Sequence, residues 1–593
     1  MCGIIGVALK RGNAAAEAYE GLKRLEYRGY DSAGLSVLRG GKIVTVKRGG
    51  RVSGLEDDVA GLDGLAAIGH TRWATHGAPS DVNAHPHTAG AFSVVHNGII
   101  ENYRELKEEL SAQGVSFVSE TDSEVIVRLI DRCFREGERE PLAAVAAAVK
   151  RLKGAYALGI LFEGLDGVIA VKYKSPAVIG FTPDGAVLCS DIPALPSSVT
   201  SACVPEDGDI ALITSYSVTV YDGGLNAVNR VRRPIFPGQF DGGKGDYPHY
   251  MIKEINETDR TVRDTCESFF RNVDVKRLSE FVRTADRIII TGCGTAYNAG
   301  LAAKRFFNDK CGSFCQVEIA SELRYAPLRV TPATLVLAVS QSGETADTVE
   351  AALALRQAGA RVVAVTNCGY SAITRIAQLV VPVCAGAEVC VAATKSYLGQ
   401  LAALYLTAKL SGDVFCARDE LLSVCGGMRA VIDDGEKADG IAERCAESSA
   451  VFFLGRGADY AVAVEGSLKL KEVSYVFSDG YPAGELKHGT LALIDESTLG
   501  VFVICDGALA EKSENAVSQV TSRGGGAAVV TSLKEVAVRQ DGEARVWLLP
   551  ECPAHLSPFL SSVALQLIAY KTAVLLGRDP DKPRNLAKSV TVE

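Results

Sequence analysis

The segment Asp286-Arg-Ile-Ile-Ile-Thr-Gly-Cys-Gly-Thr-Ala-Tyr297 returns in altered form as Ala450-Val-Phe-Phe-Leu-Gly-Arg-Gly-Ala-Asp-Tyr460. Each copy has the pattern of a buried strand, a Gly-x-Gly turn, a tyrosine three residues later and a long helix. The repeat predicts two similar α/β domains with parallel sheets that helices cover on both faces. The later segments that correspond are 334–339 and 499–505, 361–366 and 527–531, 379–383 and 545–549, and 394–410 and 557–576.

The region before the repeat, residues 2–235, has a different pattern. Short β-like runs alternate with turns, and helical spacing recurs over 104–113 and 122–136. For the second helix we predict Thr121 as the cap and Glu124 as the other half of a capping box. This mixture predicts a layered α+β domain. A Gly- and Pro-rich run indicates a linker. The expected division is 2–235, linker 236–248, 249–430, 440–580 and a C-terminal tail, 581–593.

Size, charge and cysteine usage limit the function classes. A chain of 593 residues exceeds a single core, and its formal net charge of -9 disfavours nucleic acid or an anionic membrane as partner. No apolar run with the length of a membrane span and no signal peptide is evident. The 16 cysteines form no C-x-x-C pair. We therefore expect a cytoplasmic protein with reduced thiols and neither metal nor other cofactor.

Cys2 is the candidate nucleophile. If Met1 is removed, Cys2 carries both a thiol and a free α-amine. The amine titrates at about 7.7–8.0, so it can take the proton of the thiol and return it. An N-terminal nucleophile that uses its own amine as base is a known catalytic arrangement. Taken alone, a cysteine at position 2 is more often chance, so the interpretation depends on its neighbours.

Four segments accompany the start M-C-G-I-I-G: RGYDSAG at 28–34, GHTRWATHG at 69–77, HNGIIEN at 96–102 and SETD at 119–122. Singly, each has a simpler interpretation. Asn97-Gly98 is typical of a hairpin turn, Asp122 suits a helix start, Arg72 suits a surface salt bridge, and His76 and His85 suit structural roles. Together the segments resemble the glutaminase domain of the N-terminal-nucleophile amidotransferases, an αββα fold.

That resemblance implies residue roles for the hydrolysis of glutamine. Cys2 would be the nucleophile, and the amide of Asn97 and the N–H of Gly98 would donate to the oxyanion. A guanidinium suits the carboxylate of glutamine, and an aspartate suits its ammonium. The residues implied to bind glutamine are Arg72, Trp73, His76 and Asp122.

Ser340-Gln-Ser-Gly-Glu-Thr345 follows a buried strand and opens a helix, the place where backbone N–H groups bind anions. It is not a Walker loop, and the Gly-x-Gly pairs lack the third glycine of a dinucleotide site. A helix cap without ligand is the alternative, but the cluster of polar side chains favours a phosphate monoester.

The duplicated domains with this loop resemble sugar isomerase (SIS) domains, which bind phosphosugars. Further matching segments are EVCVAATK at 388–395, EGSLKLKE at 465–472, GELKHG at 484–489 and PRNLAKSVTVE at 583–593. The whole chain resembles the glutamine–fructose-6-phosphate aminotransferase (isomerizing) family. The resemblance implies conversion of fructose 6-phosphate and glutamine to glucosamine 6-phosphate and glutamate, the first step of hexosamine (UDP-GlcNAc) synthesis, by a homodimer.

The same resemblance implies the residues that act on the sugar. Glu472 would transfer the proton between C1 and C2, His488 would open the ring, and Lys588 would engage the open-chain carbonyl. Ala296 and Ala393 depart from the family, which commonly has serine at both positions. The residues implied to bind the sugar phosphate are Thr295, Ser340, Gln341, Ser342, Thr345, Val391 and Lys469.

Other functions remain as alternatives. Another amidotransferase, such as amidophosphoribosyltransferase or asparagine synthase, would share the first domain, but the second half shows no phosphoribosyl or ATP-pyrophosphatase pattern. A non-catalytic phosphosugar sensor would share the SIS domains, but it would not need Cys2, Glu472, His488 and Lys588 together. A deglycase acting on phosphorylated sugar amines would not need the glutaminase half.

Overall fold

A computed structural model describes residues 2–73, 76–137, 139–234, 243–310, 314–326 and 329–590. The chain forms two compact units, one of Met1–Gly242 with Ser589–Glu593 and one of Gly243–Lys588. Met1, whose removal the sequence analysis requires, lies outside the described residues, as do 236–242 of the predicted linker and the last three residues of the tail.

Two antiparallel sheets form the centre of the first unit. One has the order β15-β11-β9-β10-β1-β4-β2-β3 and the other β14-β13-β12-β8-β7-β6-β5. The elements are β1 (Gly3–Leu9), α1 (Ala14–Leu25), β2 (Ser32–Arg39), β3 (Lys42–Gly49), α2 (Glu56–Ala60), β4 (Ala66–Arg72), β5 (His87–Ala89), β6 (Phe92–Ile100), α3 (Tyr103–Ala112), α4 (Glu124–Glu136), α5 (Pro141–Val149), β7 (Gly154–Phe162), β8 (Gly167–Tyr173), β9 (Val178–Thr182), β10 (Gly185–Cys189), β11 (Ser201–Cys203), β12 (Ile210–Thr214), β13 (Val218–Tyr221), β14 (Ala227–Val228) and β15 (Arg233–Pro234).

The layers of this unit follow from which side chains face inward. Ile4 and Ile68 from one sheet pack against Val95 and Leu161 from the other, so an apolar core lies between the sheets. Helix α1 covers the outer face of the first sheet. A second cluster, which includes Leu129 of α4, fills the space between the other sheet and its helices. The predicted αββα layering is confirmed.

The predicted capping box at the start of α4 is wrong. The N-cap is Ser123, which makes no side-chain cap hydrogen bond. Glu124 accepts instead from the backbone N–H of Val118 and Ser119, at 3.0 and 2.7 Å, and Thr121 hydrogen-bonds to Ser119. The polar side chains therefore organise the loop before the helix, because that loop folds back on the first turn.

The second unit contains two parallel five-stranded sheets with equivalent orders, β17-β16-β18-β19-β20 and β22-β21-β23-β24-β25. The predicted internal repeat is confirmed. The elements are α6 (Tyr250–Asn256), α7 (Thr258–Asn272), α8 (Val275–Arg283), β16 (Arg287–Gly292), α9 (Thr295–Lys310), β17 (Phe314–Ile319), α10 (Ala320–Leu323), β18 (Thr334–Ser340), α11 (Ala346–Gln357), β19 (Arg361–Thr366), α12 (Ala372–Ile376), β20 (Leu379–Pro382), α13 (Lys395–Lys409), α14 (Val414–Asp433), α15 (Asp439–Glu447), β21 (Ala450–Gly455), α16 (Ala458–Ser474), β22 (Ser478–Pro482), β23 (Thr498–Val503), α17 (Ala510–Thr521), β24 (Gly526–Thr531), α18 (Lys534–Gln540), β25 (Arg545–Leu548) and α19 (Ser557–Leu575).

One apolar core joins the two repeats. It includes Ile290 and Leu401 from the first repeat and Phe453 and Phe559 from the second. Among the described residues, only α19 is long and apolar enough, by length and composition, to cross a membrane, which the sequence analysis did not expect of any segment. Because 83% of its apolar window is buried within the protein, α19 is a core helix here.

Candidate active site

Antiparallel pairing places Cys2 beside Trp73. Cys2 precedes β1, and Gly3 lies opposite Thr71 of β4. The N–H of Trp73 donates to the Cys2 sulfur at 3.4 Å, and the thiol lies 3.6 Å from the Trp73 carbonyl oxygen. Burial raises the pKa of the Cys2 thiol, while the positive charges of the chain terminus and of Arg72 act to lower it. A nearby proton acceptor is therefore needed to form the thiolate near neutral pH.

Asn97 and Gly98 lie within β6, paired with Ala157 and Tyr156, so the hairpin-turn interpretation is wrong. Gly98 has a φ of 143°, and a Cβ there would overlap the carbonyl oxygen of Ala155, so only glycine fits. The Asn97 side chain is 1% exposed, and its buried Nδ2 has no hydrogen-bond partner among the described residues. An unpaired buried donor is costly, which is consistent with a role for this N–H₂ group toward a substrate oxygen.

A histidine contact joins the two sheets next to Asn97. His70 Nε2 of β4 lies 3.0 Å from the carbonyl oxygen of His96, and His70 is opposite Ile4 of β1. The residue before Asn97 is therefore held to β4, the strand that ends one residue before Trp73. His70 belongs to a buried group of imidazoles whose pKa values burial lowers, so the group is neutral at pH 7. The sequence analysis did not identify this group, whose members are His70, His85, His87 and His96.

Arg72 and Asp122 provide the charges predicted to bind glutamine. Arg72, at the end of β4, is buried and donates to the backbone carbonyls of His76, Gly77 and Ala78. Burial lowers its pKa, while the charges of Cys2, Asp31 and Asp122 oppose that shift, so these groups lie within electrostatic range of one another. Asp122 accepts from the N–H of Ile100 at 2.8 Å and is also buried.

The rings of Trp73 and His76 contact aromatic side chains. Trp73 meets Tyr30 edge-on with ring centroids 5.7 Å apart, and His76 meets Tyr103 edge-on at 5.2 Å. Trp73 thus approaches Cys2 through its backbone, and its ring lies against Tyr30.

In the second unit, a buried charge cluster forms where α9 meets α16. Lys469 is only 1% exposed, and its Nζ contacts Glu472 at 2.6 Å, Thr295 at 2.9 Å and Glu465 at 3.5 Å. Thr295 also donates to Glu465 at 3.1 Å. Burial acts to lower the pKa of Lys469, but the charges of Glu472 and Glu465 outweigh it and raise this pKa. Glu465, which the sequence analysis did not single out, joins the two repeats by accepting from Thr295 and Asn298.

The predicted phosphate loop connects β18 to α11. Ser340 Oγ lies 2.9 Å from Thr345 Oγ1 and accepts from the N–H of Gly343 at 3.0 Å. Gly343 has a φ of 65°, and a side chain there would overlap Ser371. Gln341 and Ser342 lie in the same turn and are half-buried. The loop is therefore a tight turn at the start of a helix that carries three hydroxyl groups and an amide, while its one carboxylate, Glu344, accepts from the N–H of Ala372.

Lys588 reaches the interior from the C-terminal tail. It is 5% exposed, and its Nζ forms an ion pair with Glu388 at 2.5 Å. The tail is held by Asp581, whose carboxylate accepts from the N–H of Tyr250 and Met251 at 2.7 Å each and whose carbonyl accepts from Val391 N–H at 3.1 Å. Glu388 was not predicted as a site residue. Its only sequence signal is its place in the segment EVCVAATK.

His488 makes no hydrogen bond or ion pair with the other predicted sugar-site residues, all of which the structure describes. It ends the short 3-10 turn Glu485–His488, and its side chain is exposed. No hydrogen bond or ion pair joins its imidazole to another residue that the structure describes.

Comparisons with known proteins agree with the division of the chain into a first unit and a second unit of two repeats. A glutamine amidotransferase domain model matches residues 70–195, and an SIS domain model matches residues 281–410 and 445–576. The fold and the two candidate sites thus define a glutamine amidotransferase linked to a pair of sugar isomerase domains.

The full length of the chain is matched by curated relatives. Glutamine–fructose-6-phosphate aminotransferase (isomerizing) from Clostridium acetobutylicum is 39% identical over 616 residues, and its counterpart from Pseudomonas putida is 42% identical over 615 residues. Each comparison covers 100% of both chains. The chain belongs to the glutamine–fructose-6-phosphate aminotransferase (isomerizing) family.

A solved structure resembles the second unit. The C-terminal domain of glucosamine-fructose-6-phosphate aminotransferase from Francisella tularensis matches with a TM-score of 0.55 and 34% identity. The match covers 57% of this chain and 100% of that one. The predicted fold class, an α+β glutaminase domain followed by two α/β SIS domains, is confirmed.

Proposed function

We propose that this protein converts fructose 6-phosphate and L-glutamine to glucosamine 6-phosphate and L-glutamate. The observation that carries this proposal is that one chain has both a cysteine nucleophile site and a buried lysine–glutamate sugar site. Members of that family match this chain along its full length. Neither a sensor nor an amidotransferase of another kind needs both. We propose that this reaction is the first step of hexosamine synthesis and that the enzyme is cytoplasmic.

In the first half-reaction, we propose that Cys2 hydrolyses glutamine. Once Met1 is removed, the α-amine takes the thiol proton and the thiolate attacks the side-chain amide carbon. Asn97 Nδ2 and the N–H of Gly98 stabilise the oxyanion, each contributing on the order of 3 kcal/mol. Ammonia leaves with the returned proton, and water hydrolyses the thioester to glutamate. Arg72 and Asp122 hold the α-carboxylate and α-ammonium, and Trp73 and His76 complete the pocket.

In the second half-reaction, we propose that ammonia is transferred to the sugar rather than lost to water. The loop Ser340–Thr345 binds the phosphate with the help of Thr295, and Val391 and Lys469 contact the sugar. His488 opens the ring, Lys588 forms an imine with C2 of the ketose, and ammonia displaces the lysine. Glu472 then moves a proton from C1 to C2, which yields the aldose. Trp73 gates the passage of ammonia.

The direct test is product formation by the purified enzyme with a native N-terminus, without added metal or nucleotide. We expect glucosamine 6-phosphate from fructose 6-phosphate and glutamine, detected by mass spectrometry. No hexosamine product from protein whose intact mass shows an N-terminal cysteine would refute the proposal.

Replacing each of two cysteines in turn distinguishes the two half-reactions. We expect Cys2→Ala to abolish glutamine hydrolysis while isomerisation of fructose 6-phosphate survives, because the nucleophile serves only the first step. Cys416→Ala is the matched control, since Cys416 is an exposed thiol elsewhere in the chain. Loss of both activities in Cys2→Ala, with Cys416→Ala active, would count against separate sites.

We also propose that the enzyme is a homodimer. The exposure of His488 supports this, because a second copy could bring a sugar site to an imidazole that has no partner among the described residues of its own chain. Light scattering coupled to size exclusion should give twice the mass of the chain. A monomer with full activity would contradict the proposal.

A further inference from the structure

Glu388 is a buried carboxylate to which the reaction above gives no role. Its side chain is 0% exposed. Oε2 accepts from Lys588 Nζ at 2.5 Å and from Ser396 Oγ at 2.7 Å, and Oε1 accepts from the N–H groups of Thr394 and Ser396 at 3.0 Å each. Glu388 is thus fixed at the start of α13 by four donors, one of which is the proposed imine-forming lysine.

A second carboxyl group, Glu254 of α6, lies beside Glu388 and is also buried. It accepts from the N–H of Val389 at 2.6 Å and of Cys390 at 3.1 Å. Burial and the negative charge of Glu388 raise the pKa of Glu254 well above its ordinary value. Glu254 therefore holds its proton more tightly than an ordinary glutamate does.

Glu388 itself keeps its charge. Burial acts to raise its pKa, but the ammonium of Lys588 and the surrounding N–H groups outweigh burial and hold this pKa below its ordinary value. The other charged or titratable groups near the pair are already engaged: Lys395 with Glu257 at 2.6 Å, Asp581 with two backbone N–H groups, and Cys390, whose pKa burial raises. Glu388 and Lys588 therefore form a direct ion pair, and the neighbouring Lys395 has a carboxylate partner of its own.

We propose that Glu388 is a positioning residue, the counter-ion that holds Lys588 both as the free ammonium and as the protonated imine of the sugar. The inference rests on the proposed function, in which Lys588 attacks C2 of fructose 6-phosphate. The nitrogen loses one proton as it adds to C2 and a second as the C=N bond forms, and the C2 oxygen takes both protons and leaves as water. An ammonium and a ketone thus give a protonated imine and one water, so the positive charge beside Glu388 is conserved.

A purely structural role for Glu388 predicts something different. The carboxylate also accepts from Thr394 and Ser396, so it could serve only to hold the loop at the start of α13. The variant Glu388→Gln keeps a carbonyl oxygen for these N–H groups but removes the charge. Glu388→Asp keeps the charge on a shorter side chain. The two variants therefore distinguish a counter-ion from a structural acceptor.

The experiment is reductive trapping of fructose 6-phosphate on Lys588 with borohydride, measured by peptide mass spectrometry as a function of pH. We expect Glu388→Gln to form roughly tenfold less adduct near pH 7 and to shift the pH profile about one unit toward acid, because both cationic forms lose their partner. Glu388→Asp should keep the pH profile of the parent at lower yield. Glu420→Gln is the matched control, since Glu420 also pairs with a lysine, Lys409, at 3.4 Å.

The outcomes are separable. An unchanged pH profile in Glu388→Gln, even with lowered thermal stability, would reduce Glu388 to a structural acceptor and overturn the inference. If the parent forms no adduct at Lys588 but still makes glucosamine 6-phosphate, the counter-ion role fails and the proposed overall reaction stands. If it makes no product either, both fail.

Discussion

The two repeats of the second unit have the same sheet and helix order but different chemistry at the same loop. In the first repeat, β18 ends in Ser340 and leads through Gly343 to α11, which begins at Ala346. In the second, β23 leads through Gly507 to α17, which begins at Ala510. In the first loop the hydroxyl groups of Ser340 and Thr345 hydrogen-bond to each other, and Glu344 accepts from the N–H of Ala372. The second loop has Asp506 where the first has Ser342.

The difference between the two loops depends on a position at the start of α9 in the first repeat and of α16 in the second. Asp459 of α16 occupies the place in the second repeat that Ala296 occupies in the first. Asp459 Oδ2 accepts from the N–H groups of Cys505 and Asp506 at 2.9 and 3.2 Å. An internal carboxylate thus takes the amides that would face a phosphate, while a methyl group at Ala296 cannot. The fold was duplicated, but the anion site is expected only in the first repeat.

The second repeat is proposed to supply the proton-transfer group, Glu472, and replacing that group has the largest expected effect on activity. If α16 serves proton transfer and not phosphate binding, Glu472→Gln should lower kcat for sugar isomerisation by about 10²–10⁴-fold, with little change in KM. Steady-state kinetics with fructose 6-phosphate measures both. Glu447→Gln, an exposed glutamate of the same repeat, is the control. A change confined to KM would mean that the second repeat also binds the phosphate.

Transferring the carboxylate of the second repeat into the first should abolish the difference between them. In Ala296→Asp we expect KM for fructose 6-phosphate to rise roughly thirtyfold, because a like charge beside a phosphate costs about 2 kcal/mol or more. Glutamine hydrolysis at Cys2 should stay within about twofold, which serves as the folding control. An unchanged KM would show that the phosphate does not bind at this loop.

The carboxylate of the second repeat should also be visible in the pH dependence of stability. Burial raises the pKa of Asp459 from its ordinary value to about 7. The folded protein holds the proton of Asp459 more tightly than the unfolded chain does. The contribution of this proton to the free energy of unfolding is therefore complete below about pH 4 and is lost as the pH rises through 7. Asp459→Asn should therefore remove up to a few kcal/mol of this pH-dependent loss.

Thermal unfolding at pH 5 and pH 8 tests the Asp459 prediction. The free energy of unfolding of Asp459→Asn should fall less between these two pH values than that of the parent. Asp286→Asn, which removes a carboxylate hydrogen-bonded to Thr331 at an exposed site, is the control. If the free energy of unfolding depends on pH in the same way in Asp459→Asn and in the parent, Asp459 is not the group whose proton stabilises the fold.

The smallest effect is expected when the first repeat is given the residue that its family commonly has. Ala296→Ser adds one neutral hydroxyl near the loop and should lower KM for fructose 6-phosphate by less than about threefold, the value of one modest hydrogen bond. Ala393→Ser, at the other departure, is a useful comparison. A tenfold gain would mean that Ala296 leaves the phosphate poorly bound in this chain.

Local patterns predicted much of the fold. The strand 361–366 was predicted with the bounds that β19 has, and β18, β24, α13 and α19 differ from their predicted bounds by one residue at one or both ends. These elements are buried runs closed by glycine or proline, so periodicity and turn residues suffice. The capping box at Thr121 failed because tertiary packing redirected Glu124 to the loop before the helix.

The site could be predicted only where residue type and family pattern coincide. Cys2, Arg72 and Lys469 are named by motif, but Glu388, Glu465 and Asp459 act on residues far away in the chain. Glu388 pairs with Lys588 across 200 positions, and no local period predicts such a pair. Asn97-Gly98 shows the converse, since a local turn signal was overridden by pairing with β7.

The measurement that tests the duplication most directly is calorimetric titration of the enzyme with fructose 6-phosphate in the absence of glutamine. The account predicts one sugar phosphate bound per chain in the parent and in Asp459→Asn, and binding roughly thirtyfold weaker in Ala296→Asp. Two sugar phosphates bound per chain in the parent, or undiminished binding in Ala296→Asp, would contradict it.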